Sequence, residues 1–99
     1  MHVIIWEYQV KVVQQTEFEK VYSPNGKWAE LFKLGQGYLE TELLQDTTNP
    51  NPYLTIDRWA SKQDYDEFLF KWEQEYTTLD AHYDNLMKHE ALLGVYDSV

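Results

Sequence analysis

The chain has 99 residues, and its seventeen acidic against eight basic side chains give a formal charge of −9, which disfavours nucleic acid and anionic membrane surfaces as partners. It contains no cysteine, which excludes disulfides, a thiolate nucleophile and a cysteine-ligated metal. Aromatic residues make up 16% of the chain, four Trp and eight Tyr among them, enough either to fill a core with rings or to line a pocket for a flat organic molecule.

The opening segment, residues 2–12, alternates. Ile4, Trp6, Tyr8 and Val10 share one face and Val3, Ile5, Glu7, Gln9 and Lys11 the other, which predicts a strand apolar on both sides at its start. "QQTEFEKVYS" has helical spacing through Phe18, Val21 and Tyr22, and is broken by Pro24 and Gly26. Trp28, Leu31 and Phe32 mark one or two further helical turns, which end at Gly35 and Gly37. "YLETELLQD" reads as a second strand, with Leu39, Thr41 and Leu43 on one face and Tyr38, Glu40, Glu42 and Leu44 on the other. The polar "TTNPNP" is a loop, and "YLTIDRWA" the third strand, so strands two and three form a hairpin. Two registers fit it, one placing Glu42 opposite Asp57 and the other placing Glu42 opposite Arg58.

Ser61, with Asp64 three residues on, begins a helix through a variant of the capping box. Its apolar stripe runs Tyr65, Phe68, Leu69, Trp72, Tyr76, Leu79 without interruption. "DAHYDNLMKHE" continues as helix or helical return, and "ALLGVYDSV" closes the chain as a fourth strand. The order β-α-β-β-α-β predicts an α+β, ferredoxin-like fold, with a four-stranded antiparallel sheet and its helices on one face, in a single domain over residues 1–99. Helices on one side leave the other sheet face bare, and its apolar content predicts a homodimer that buries it. The N-terminus carries no basic leader or long apolar run, which predicts a cytoplasmic protein.

The strand "VIIWEYQVKV", the helix with "EFEKVY", the strand "GYLETELLQD", and above all "RWxSxxxYxxF" at Arg58, Trp59, Ser61, Tyr65 and Phe68 carry a resemblance over nearly the whole chain. The chain resembles the antibiotic biosynthesis monooxygenase (ABM) domain family of the dimeric α/β-barrel superfamily. The resemblance implies a small dimer with a pocket between sheet and helices in each subunit. It also implies oxidation of a small aromatic, phenolic or quinol substrate by molecular oxygen with no metal or flavin cofactor, the substrate anion supplying the electrons. A haem-degrading branch uses an Asn on the first strand and a Trp and His on the long helix. Here Glu7 or Tyr8, Phe68 and Thr78 stand at those positions, so the resemblance does not extend to that branch.

Within that frame Arg58 and Trp59 point to opposite sheet faces. Trp59 belongs to the core or to a pocket wall, and Arg58 either pairs with an acid at the dimer interface or stabilises a substrate anion. His82 and Tyr76 are candidates for proton transfer. Trp28, Trp59, Trp72 and Tyr65 are candidates for the walls of a substrate site, with core packing as the plainer reading of each. Glu7 is a further candidate for a buried base. His82 and His89, seven residues apart, do not have metal-pair spacing, and no metal site is expected. Phe70 lies off the apolar stripe and should be exposed or at an interface. The alternative to the enzyme is a ligand-binding or structural homodimer of the same fold.

Overall fold

The computed structural model describes residues 1–99. Its elements run β1 (His2–Val10), α1 (Gln15–Tyr22), α2 (Lys27–Phe32), β2 (Tyr38–Gln45), β3 (Pro52–Trp59), α3 (Lys62–Lys71), α4 (Glu73–Tyr83) and β4 (Met87–Asp97). The four strands form one antiparallel sheet in the order β2-β3-β1-β4, with β1 and β3 at the centre. This is the expected ferredoxin-like α+β plan.

Alternation decides which side of the sheet each residue serves. On β1, His2, Ile4, Tyr8 and Val10 are buried under the helices, and on β3 so are Tyr53, Thr55, Asp57 and Trp59. The helices contribute Phe18, Val21 and Tyr22 from α1, Trp28, Leu31 and Phe32 from α2, and Phe68 from α3. Trp59 is fully buried, with Phe32, Tyr38, Tyr65 and Phe68 packed around its indole. The intervening residues Val3, Ile5, Leu54, Ile56 and Arg58 lie on the uncovered face and are only half-buried.

Five local expectations change. The first strand ends at Val10 because Val12–Gln14 turn into a 3₁₀ helix that leaves Val12 and Val13 in solvent. The hairpin adopts neither anticipated register: Thr41 opposes Asp57, Glu40 opposes Arg58 and Glu42 opposes Ile56. The cause is Pro52, which joins the ladder as an acceptor, its carbonyl receiving the Asp46 amide at 3.1 Å, so that the third strand starts one residue early and the loop runs over 46–51. An irregularity between Tyr38 and Glu40 then turns Tyr38 to the helix side, onto Phe32 and Trp59.

The long helix keeps its apolar stripe but bends at Trp72, whose φ of −111° and ψ of 24° separate α3 from α4. Met87, Lys88, His89 and Glu90 are strand rather than helix. The outer edge of β1 needs a ladder partner along its whole length, and β4 supplies it from Met87 opposite Val10 to Asp97 opposite His2. The start of α3 is as expected, with the Ser61 hydroxyl accepting from the Asp64 amide at 3.1 Å. Gly37 has a φ of 85°, and a Cβ there would lie 2.1 Å from the Asp64 carboxylate, so the turn into β2 needs glycine.

Candidate functional site

Between the helix side of the sheet and α1, α2 and α4 lies a cavity of about 90 Å³. Trp6 and Tyr8 of β1, Tyr22 of α1, Trp28 and Phe32 of α2, and Tyr76 of α4 make its aromatic walls. Thr41, Thr55 and Asp57 come from the middle of the β2–β3 hairpin, and Asp80 and Glu90 from α4 and β4. The lining therefore holds three carboxyl groups and no Lys, Arg or His.

Asp57 occupies the buried end. Its position follows from β3 alternation: it sits two residues before Trp59 and must share the core-facing side. The Thr41 hydroxyl donates to Asp57 Oδ1 at 2.7 Å, and since that uses the only hydroxyl proton of Thr41, the Tyr38 hydroxyl donates to Thr41, also at 2.7 Å. The second oxygen of Asp57 has no protein partner. Burial pushes the Asp57 carboxyl up to about 6, opposed in part by the Thr41 hydrogen bond. Asp57 thus changes charge close to neutrality, the range that suits a general base.

Asp80 and Glu90 are less buried and stand toward the mouth. Both are raised, chiefly by burial, with the charge of Asp84 adding to each and that of Asp80 to Glu90. Among the walls, burial also raises the hydroxyls of Tyr8, Tyr22 and Tyr76, so all three are neutral donors at physiological pH. The indole N–H of Trp28 is buried beside the Tyr22 hydroxyl, where it opposes in part the rise that burial gives that hydroxyl.

The residues singled out from sequence divide between several places. Trp28 and Tyr76 line the cavity, and their rings meet edge to face at 4.9 Å. Trp59 and Tyr65 lie together in the core beside the cavity, with Tyr65 also against His2 and its hydroxyl pushed up to about 12 by burial. Trp72 is half-buried at the bend, with the Lys71 ammonium over its ring. His82 is exposed on the outer side of α4 and packs against Tyr83. Arg58 is on the opposite sheet face, in ion pairs with Glu42 and, at 3.5 Å, with Glu40. Neither Arg58 nor His82 reaches the cavity. Glu7 is likewise on the uncovered face, and Phe70 is 86% exposed.

Trp6, Tyr8, Tyr22, Asp57, Asp80 and Glu90 were not singled out as a site. Asp57 carried a readable signal, because an acid on the same strand face as a core Trp must itself be buried. Asp80 and Glu90 carried none, since they meet only through the return of β4 beside β1.

The sequence model of the family described as antibiotic biosynthesis monooxygenase matches residues 1–70, from β1 to most of α3. The chain belongs to the antibiotic biosynthesis monooxygenase family. Solved structures extend the likeness over the whole chain. A Nitrosomonas europaea protein described as an antibiotic biosynthesis monooxygenase superposes with a TM-score of 0.75 at 16% identity, covering 100% of this chain and 99% of that one. A Caulobacter crescentus protein described in the same terms gives 0.79 at 19% identity, covering 99% and 89%. SnoaB, a cofactor-independent oxygenase from Streptomyces nogalater, gives 0.71 at 19% identity, covering 99% and 92%. At these identities the structures establish the shared fold of this ABM chain. A search of curated proteins finds no match. No helix of the chain is long and apolar enough to cross a membrane.

Proposed function

We propose that this ABM domain, taken as one unit over residues 1–99, is a cofactor-independent monooxygenase of a small phenolic or quinol substrate. The observation that carries the reading is Asp57, a buried carboxyl near neutrality with one free oxygen, set in an aromatic cavity and backed by Tyr38 and Thr41. Asp57 takes a proton from the substrate hydroxyl. The Tyr76 hydroxyl stabilises the resulting oxyanion, and the ring walls exclude water. The substrate anion gives an electron to O₂, and the radical pair recombines as a carbon–oxygen bond to give a hydroperoxide. That intermediate then loses water. Quinol and O₂ become hydroxyquinone and water, with all four electrons drawn from the ring. A volume of about 90 Å³ favours one ring over a polycycle, because pockets for drug-sized ligands run to roughly 300 Å³ and more.

SnoaB, a cofactor-independent oxygenase of the same fold, supports this reading. The lack of a cationic side chain in the lining favours a second one, a small-ligand-binding homodimer without turnover. Oxygen consumption with hydroquinone and methylhydroquinone separates the two. Uptake that Asp57→Asn lowers by about a hundredfold or more supports the enzyme. Saturable binding with no uptake selects the binder. We place the protein in the cytoplasm as a homodimer joined across the uncovered sheet face, where Val3, Ile5, Leu54 and Ile56 form an apolar strip beside the Arg58–Glu42 pair.

A further inference from the structure

We infer that the cavity is built for an aromatic ligand that carries an amine, its ammonium held at the mouth by Asp80 and Glu90 and its ring hydroxyl directed at Asp57. The inference rests on the same cavity as the oxygenase reading but not on turnover. Three observations support it together. All three titratable side chains of the lining that can hold a charge at neutral pH are acids, and none of the eight Lys and Arg residues of the chain lines the cavity. An anionic ligand would enter against this field, whereas a cation is drawn in by it. Trp6, Tyr8, Tyr22, Trp28 and Tyr76 surround the space with ring faces and edges, the surroundings in which a desolvated ammonium is held by cation–π attraction.

The oxygen of Asp57 that Thr41 leaves free calls for a donor inside the cavity, which a phenolic hydroxyl supplies. The two ends of the cavity thus ask for different groups. Asp57 at the buried end matches a hydroxyl, which can give it a proton. Asp80 and Glu90 match a positive charge.

The test is isothermal titration calorimetry with three one-ring probes that share a phenol and differ in the tail: tyramine, 4-ethylphenol and 4-hydroxyphenylpropionate. At about pH 8 the amine is protonated and the carboxyls are ionised. Tyramine is expected to bind roughly tenfold more tightly than 4-ethylphenol, with the carboxylate weakest. In the double variant Asp80→Asn, Glu90→Gln the ratio of tyramine to 4-ethylphenol affinity should fall to within about twofold, and raising the salt should lower the wild-type ratio in the same direction. Equal affinities in the wild type, a preference for the carboxylate, a ratio that survives in the double variant, or no saturable binding of any probe overturns the inference. Its failure is distinct from that of the oxygenase reading. Quinol-dependent oxygen uptake without a tyramine preference removes only the amine, and a tyramine preference without uptake of oxygen on any quinol removes only the catalysis.

Discussion

At Asp57 chemistry and stability pull in opposite directions. Burial raises its carboxyl to about 6 in the folded chain, against about 3.9 in the unfolded one. The folded state therefore binds this proton more tightly. Between those two values stability falls as pH rises, and above about 6 the whole cost of the buried charge is present. A displacement of about two units corresponds to roughly 2–3 kcal/mol. Asp57→Asn is thus expected to stabilise the protein by roughly 2 kcal/mol at about pH 8 and by little at about pH 4, read from urea midpoints at the two pH values. The same variant should lose oxygen uptake. In the wild type, kcat/KM for a quinol should rise through about pH 6 as Asp57 ionises and then level off. A rate that is flat from about pH 5 to 8 would remove Asp57 as the base.

Element geometry explains why neighbours in sequence have separate duties. Arg58 stands between Asp57 and Trp59, yet strand alternation sends it to the other face, where Glu40 and Glu42 of the hairpin hold it. Arg58→Ala should therefore weaken association of the two copies, seen as a lower apparent mass on dilution, while quinol turnover per folded subunit falls much less than in Asp57→Asn. A loss of turnover as large as that of Asp57→Asn would return Arg58 to the chemistry. The start of α3 was legible because a cap depends on one side chain and one amide, and Ser61→Ala should cost about 1 kcal/mol, or about 4–8 °C in thermal midpoint. The bend at Trp72 was not legible, since neither Pro nor Gly marks it and the i to i−4 bonds on either side are intact, Trp72 to Phe68 and Tyr76 to Trp72 at 2.9 Å each. Gly35 is a packing glycine. A Cβ there would meet Phe68 and Trp59 at 2.8 and 2.9 Å, so Gly35→Ala should destabilise by about 1–3 kcal/mol, measurable in the same urea titration.

For the whole molecule, the helices cover one side of the sheet and leave the other with an apolar centre. Light scattering after size exclusion should return about twice the 11.9 kDa chain mass. Ile56→Asp, which puts a charge at the centre of that face, should return a single chain mass while leaving the helix-side cavity intact. A wild-type monomer at micromolar concentration would remove the homodimer and leave the face for another partner.

What the sequence determined by itself were the features with short-range physical causes. Element order follows from hydrophobic period, turns from Pro and Gly, the α3 start from Ser61, the opposite faces of Arg58 and Trp59 from strand alternation, and the family from the motif around Arg58 and Ser61. Tertiary structure decided what depends on distant segments meeting. The hairpin register turned on whether Pro52 joined the ladder, and the length of β4 on the backbone groups that β1 leaves unpaired. The cavity exists only where β1, the hairpin, α1, α2, α4 and β4 converge. There three carboxyls from separate parts of the chain lose water together, and it is that shared desolvation, absent from any local stretch, that makes the candidate site.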